Sequence, residues 1–329
     1  MTELYDVTAI GNAIVDVIAP ADEGFVEAHG FAKGAMNLID EVQADTLYGA
    51  MAPGLETSGG SAGNTIAGVA SFGGKAAFMG KVAEDQLGQV FAHDMRAIGA
   101  RFDSAPLVGG PATARSLINV TPDGQRTMCT FLGASTQFST SDIDADLVRA
   151  SSIVYLEGYL FDADPARRAF EQVAQIARDA GRMIAMTLSD SFVVERHRAD
   201  LMAFIDRDVD LLFANEDEAG SLFQTQDFDA AVSRLRGRVK IAAVTRSEKG
   251  SVAVTAGETF VVPAVPVEKV VDTTGAGDQY AAGFMFGLAG GRPLDACARL
   301  GSLAAAEVIS HYGPRPQVPL RGLAAREGL

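Results

Sequence analysis

From about Ser152 onward the chain alternates apolar runs, "SIVYLEG", "RMIAMTLS", "VDLLFAN" and "KIAAVTRS", with amphipathic segments. A strand covered on both faces has no alternate positions for polar residues, so such runs joined by helices are the pattern of a mostly parallel sheet with helices on each side. The spacing predicts a first connecting helix capped by Asp164, with Pro165 in its first turn. Phe170, Val173, Ala174 and Ala177 line one face of it and Gly181 stops it. An earlier helix is expected over 84–98, where Leu87, Val90, Phe91, Met95 and Ile98 recur at helical spacing. Both stripes read as core faces, not cofactor boxes.

Two segments depart from this rhythm. "TARSLINVTPDGQRTMCTFLG" reads as a β-hairpin around a Pro122-Asp123-Gly124 turn. "NAIVDVIAP" and "GAMNLI" read as short strands outside the βαβ series. With no Pro/Ser-rich linker, internal repeat or low-complexity tract, these pieces predict a small sheet set over one end of the large one as a lid built from insertions.

The 329 residues carry 27 basic and 42 acidic side chains, a formal charge of −15. That balance argues against a nucleic acid or an anionic membrane as the main partner. It leaves small anions open, because clustered amide N–H groups bind phosphate on an acidic protein. Cys129 and Cys297 lack metal-ligand spacing and read as reduced thiols of a cytoplasmic protein. The N-terminus has no basic segment followed by an apolar one, and no apolar run is long enough to span a bilayer, so a soluble protein starting on a strand is expected.

Two glycine-dense segments carry the chemistry. In "SGGSAGNTIAGVASFGGKAAFMG", Gly73-Gly74-Lys75 is followed by Ala76 and lacks the earlier glycine of a P-loop. Gly59 and Gly60 fit close approach of backbone to a ligand, with Asn64 offering an amide beside them, or merely a tight turn packing a helix on the sheet. In "VVDTTGAGDQYAAGF", Gly275, Ala276 and Gly277 join a β-like run to a helical one, and Asp278 stands at the junction. A carboxylate there is commonly a cap. Thr273 and Thr274 are also available as caps, however, and the three small residues would expose successive amides toward an anion. A base beside such amides suits transfer of a phosphoryl group to an alcohol.

"DTTGAGDQYAAGF" and "GGSAGNTIAGVASFGGKAAFMGKVAEDQLG" resemble, in order and separation, the two signatures of the ribokinase-like (PfkB) carbohydrate kinases. The resemblance covers essentially the whole chain. It implies a ribokinase-like three-layer α/β sandwich, with a large unit over 1–11, 41–110 and 136–329 and a small β lid over 12–40 and 111–135. It also implies an ATP-dependent, Mg²⁺-requiring kinase acting on a hydroxymethyl group, with Asp278 as general base and Gly275, Ala276 and Gly277 as the anion hole. "NEDE" is similar to the family's N-x-x-E motif, placing Asn215 and Glu218 near Mg²⁺ and its waters; by itself it is an acidic helix start. "TRSEKGS" resembles the nucleotide loop through Thr245 and Gly250, with Ser247 where many members carry glycine. Its plain reading is a strand ending in a Lys249-Gly250 turn. Backbone carbonyls near Asp272 and Thr274 hold a monovalent cation such as K⁺ in some relatives.

On the acceptor side, "GNAIVD" resembles the family's acceptor motif, with Asn12 beside Asp16, a carboxylate suited to two adjacent hydroxyls. Without the family Asp16 would read as a solvated charge on an edge strand. Several stretches resemble adenosine kinases more than ribokinases: "GNAIVD", "GGSAGN" and "TLSDSF…VDLLFANEDEAGSLF". That likeness places Ile14 and Tyr159 against a purine. It also brings Arg126 of "DGQRT", otherwise a surface charge after a turn, from the lid onto the transferring phosphate. Thr274 replaces an asparagine common in adenosine kinases, and Tyr159 a phenylalanine. The expectation is therefore a kinase of adenosine or a related nucleoside, a monomer or a homodimer. The alternatives are a ribokinase- or fructokinase-type sugar kinase and an idle sugar-binding regulator, against which the intact Asp278 and its glycines argue.

Overall fold

The computed structural model describes residues 4–123 and 125–329. Its strands are β1 (Tyr5–Ile10), β2 (Ile14–Pro20), β3 (Met36–Leu38), β4 (Leu55–Gly59), β5 (Ala76–Met79), β6 (Ala114–Val120), β7 (Arg126–Phe131), β8 (Ser151–Glu157), β9 (Met183–Thr187), β10 (Leu211–Asn215), β11 (Ile241–Thr245), β12 (Ser251–Val254) and β13 (Thr259–Val262). Eight of them form one sheet in the order β13-β12-β11-β10-β9-β8-β1-β5. It is parallel from β5 through β11, and β12 and β13 are added antiparallel at one edge. The four apolar runs that defined the pattern are β8 to β11.

Strand alternation sorts the core into two layers. From β8, Val154 and Leu156 join Phe170, Val173 and Ala177 of helix Asp164–Asp179 on one face. Ile153 and Tyr155 point the other way, to Ile66, Phe284 and Met285 from the helices at Ser61–Ser71 and Ala276–Ala289. The result is a three-layer α/β sandwich. Helix Asp164–Asp179 differs from expectation at its start: the N-cap is Ala163, and Asp164 lies inside the first turn, placing its charge on the helix dipole without a cap bond. Gly181 follows the helix at φ +66°, as a stop requires.

The second sheet has the order β3-β7-β6-β2-β4. β6 and β7 pair antiparallel as the predicted hairpin, whose turn residue Gly124 lies outside the described residues. This sheet also takes in β4, paired with β2 from Ile14↔Gly59 to Ile18↔Leu55, so it is not built from 12–40 and 111–135 alone. "LETSG" has too few apolar residues to stand out as a strand in the sequence. Cys129 and Cys297 are free and buried. Among the described residues no helix is long and apolar enough to cross a membrane.

Candidate active site

The parallel strands of the large sheet end along one edge, where the core no longer demands apolar side chains and polar ones collect. β1 runs out before Asn12, β8 ends on Glu157, β10 on Asn215 and β11 on Thr245. Helix Ala276–Ala289 begins at this edge. Its N-cap, Gly275, has φ +80°, and a Cβ there would lie 2.7 Å from Pro314, so the turn needs glycine for torsion and for clearance.

Neither threonine caps this helix, against expectation. Thr274 instead donates through its N–H and its hydroxyl to Asp272 Oδ1, at 3.1 and 2.7 Å. The Ala276 N–H donates to the Thr273 carbonyl at 3.2 Å, which removes it from the open amides. Gly277 and Asp278, in the first turn, have no carbonyl one turn back to receive their N–H groups, the usual condition of a helix start that takes an anion.

Asp278 is held by the helix Ser61–Ser71. Ser61 Oγ donates to its Oδ1 at 2.6 Å and Asn64 Nδ2 to its Oδ2 at 3.3 Å. Lost hydration pushes the carboxyl up to about 6, against the pull of these two bonds. A carboxylate poised there takes a proton from an alcohol more readily than a solvated one, while staying ionised at neutral pH.

On one side of Asp278 lies a cavity of about 690 Å³ lined by Asn215, Glu218, Thr245, Ser247, Gly250, Ala276, Gly277 and Asp278. Its lining also includes the apolar side chains of Val265, Pro266, Val267, Ala305 and Ile309. The volume and this mixed lining suit a nucleotide. Asn215 and Glu218 form a reciprocal cap at the start of helix Glu216–Phe223, with Asn215 Nδ2 donating to Glu218 Oε1 at 2.8 Å. The acidic helix start is therefore real, and it faces the cavity as well. Burial pushes Glu218 up to about 7, a cost that a cation at this wall would reverse. Among the described residues no group of three His, Cys, Asp or Glu side chains can hold a metal unaided. A Mg²⁺ here would draw its other ligands from water and phosphate, which suits that ion.

Ser247 has φ +50°. This left-handed torsion explains physically why glycine serves at such a position. Ser247→Gly should raise stability by about 1 kcal/mol, read as a higher thermal or urea midpoint. An unchanged or lower midpoint would mean that the serine side chain compensates for the torsion.

The other side of Asp278 faces the small sheet. Asp16 of β2 is 8% exposed and lies over Gly59, where a Cβ would sit 2.3 Å from Asp16 Oδ2. Burial pushes Asp16 up to about 6, with Arg315 and Arg126 pulling it down and the Asp278 charge raising it. Ile14 pairs with Gly59, and Gly60, at φ +80°, is the N-cap of helix Ser61–Ser71. Tyr159 lies in the turn Gly158–Asp162 and packs on the core; burial and the charges of Asp190, Glu157, Asp278 and Glu218 raise its phenol. Arg126 reaches from β7 to Asp272, Nη1 to Oδ2 at 2.9 Å, with its guanidinium 5.2 Å from the centre of the Tyr312 ring. The Asp272 carboxylate accepts from Thr274, Gly313 and Arg126, which commits this side chain to the turn.

Three residues here had no assigned role in the sequence reading. Ser61 was visible within "GGSAGN". Glu157 carried one signal, a charge closing an apolar run; its Oε1 accepts from Asn12 Nδ2 at 2.8 Å and its Oε2 from the Ala62 N–H at 2.9 Å, tying β1 to the helix that holds Asp278. Arg315, in "GPRPQ", gave no signal, since it arrives from a loop more than 200 residues away in sequence.

A pfkB family carbohydrate kinase model matches residues 39–321. The solved structure of adenosine kinase from Sinorhizobium meliloti is 53% identical, with a TM-score of 0.90 over 99% of each chain. That of a "probable sugar kinase" from Rhizobium etli CFN 42 is 48% identical, with a TM-score of 0.92, again over 99% of each chain. Adenosine kinase of Saccharomyces cerevisiae is 25% identical over 93% of this chain and 95% of its own. The match over most of the chain agrees with a fold that sets an open helix start and a poised carboxylate beside a nucleotide-sized cavity, and the chain belongs to the pfkB family of carbohydrate kinases.

Proposed function

We propose that this kinase transfers the γ-phosphate of ATP to the 5′-hydroxyl of adenosine or a closely related nucleoside. The observation that carries the chemistry is the place of Asp278, with the nucleotide-sized cavity on one side and Asn64 and Asp16 on the other. The 53% identity to an adenosine kinase supports the choice of acceptor.

In this reading Asp16 accepts hydrogen bonds from the two ribose hydroxyls and Asn64 steadies the acceptor beside the base. Ile14 and Tyr159 flank the purine. Asp278 Oδ removes the proton of the attacking hydroxyl, which places the oxygen between base and phosphoryl group and resolves the conflict of an acid beside an anion site. The Gly277 and Asp278 N–H groups and the helix dipole receive the growing negative charge. Thr245, Ser247 and Gly250 hold the nucleotide. Arg126 belongs to a lid and adds a cation; its Nε has no partner among the described residues, so its guanidinium retains donor capacity. Asn215 and Glu218 would hold a hydrated Mg²⁺, which supplies charge neutralisation on the phosphates when bound.

ADP release measured side by side with adenosine, inosine, guanosine, ribose and fructose tests the acceptor. Adenosine is expected to exceed ribose and fructose in kcat/KM by at least about tenfold, the scale set by a purine stack worth about 1–3 kcal/mol. A preference for a free sugar, in line with the "probable sugar kinase" of Rhizobium etli, would replace the nucleoside reading while leaving the kinase chemistry in place.

A further inference from the structure

We propose that Arg315 is a positioning residue that sets Asn64 and Asp16 for an acceptor bearing two adjacent hydroxyls. The inference rests on the acceptor reading above and assigns its selectivity to a side chain outside both glycine-rich motifs.

The loop that delivers Arg315 is fixed from several directions. The Gly313 N–H donates to Asp272 Oδ2 at 3.0 Å, and Gln279 Nε2 donates to the Pro314 carbonyl at 3.0 Å. Glu307 Oε1 accepts from the N–H groups of Gln317 and Val318, at 2.9 and 3.2 Å. The guanidinium is thereby inserted between the helix Ser61–Ser71 and β4. Nε donates to Asn64 Oδ1 at 3.3 Å and Nη1 to Ser58 Oγ at 2.8 Å. Asp94 holds the other side of Ser58, accepting its N–H at 2.8 Å.

Two consequences follow. Occupying Asn64 Oδ1 with a donor fixes which way the amide points, so its Nδ2 is the end that meets Asp278. The guanidinium also lies beside β2: Ser58, the partner of its Nη1, pairs with Val15, the neighbour of Asp16, and its charge opposes the desolvation that pushes the Asp16 carboxyl up. The charged groups acting on Asp16 are Arg315, Arg126 from β7 and Asp278 from helix Ala276–Ala289, and Asp94 acts on Arg315. Among the described residues Nη2 meets only the Met95 sulfur, at 3.9 Å, a weak acceptor, so these partners do not use all of the strong donors of this buried cation. A purely structural arginine would be expected to find better.

The test compares wild type, Arg315→Met and Arg315→Lys on adenosine and on 2′,3′-dideoxyadenosine, which keeps the attacking hydroxyl and lacks the diol. Arg315→Met should lose about 10- to 100-fold in kcat/KM on adenosine, the size of one hydrogen bond to a charged group, with a much smaller loss on the dideoxy acceptor. Its KM for adenosine should recover as pH is raised from 7 to 8.5 and Asp16 ionises, and Arg315→Lys should regain part of the selectivity. Equal losses on both acceptors, or no loss, would overturn the proposal. If Arg315→Met does not fold, Arg315→Lys carries the comparison, because it keeps the charge and loses the fork: a partial loss on adenosine that exceeds the loss on the dideoxy acceptor supports the proposal, and equal losses on both acceptors, or no loss on either, overturn it. Wild-type enzyme inactive on adenosine would count against the nucleoside reading alone; the same comparison is then read on ribose against 2-deoxyribose.

Discussion

Asp278→Asn should lower kcat by about 10²- to 10⁴-fold, the range over which a positioned proton acceptor contributes, and leave the fold intact. The amide can accept from Asn64 Nδ2 and donate to Ser61 Oγ, whose hydroxyl accepts as well as donates, so both contacts can be kept. Loss of the charge favours the fold as well. A carboxyl whose folded pKa, about 6, lies above its ordinary 3.8 favours the folded state at low pH and costs stability as pH rises through 6. Removing that charge should hold or raise the melting temperature at pH 8. Activity loss accompanied by a lower melting temperature would point to a structural role instead.

The same shift sets the pH profile. The base works ionised, so kcat/KM should fall tenfold per unit below about pH 6 and level off above it. Asp16, also near 6, shares the window and interacts with Asp278, so the limb can be steeper than one proton. In Asp278→Asn the limb should keep only the acceptor-binding part, visible in KM and absent from kcat.

Arg126→Met is expected to lower kcat by about 10²- to 10³-fold, as loss of one preorganised donor to a transition state does, with acceptor KM changed by less than about threefold. The mutation also removes the partner of Asp272, and breaking a buried pair can cost about 3–5 kcal/mol. Here the cost should fall at the low end, because Asp272 keeps three donors, from Thr274 N–H and hydroxyl and from the Gly313 N–H. Arg126→Lys separates the two effects: it preserves charge on Asp272 and lacks the planar fork, so stability should recover further than kcat. A change confined to acceptor KM in both variants would remove Arg126 from the phosphoryl step.

Much of this was legible in the chain itself. The fold class followed from four apolar runs because burial on both faces excludes polar residues along a whole strand, a local and repeated constraint. The carboxylate at the start of a glycine-led helix was equally local, since torsion and hydrogen-bond valence at Gly275 and Asp278 depend on near neighbours. β4 escaped notice because "LETSG" is a strand through its pairing with β2, not through its own composition. Local chemistry also misjudged Thr274, which had two partners to choose from and took Asp272, in the same turn, over the helix end.

What the sequence determined alone was the layered α/β architecture, the position of the helix start and the identity of the acid beside it, all properties of short stretches. Only the tertiary structure decided what surrounds that acid. Ser61 and Asn64 come from one helix, Arg315 from a loop beyond the last strand and Glu157 from the end of a central strand. Their polar atoms meet because desolvated charges must find partners wherever the packed layers bring them, and that requirement leaves no periodic mark in the chain.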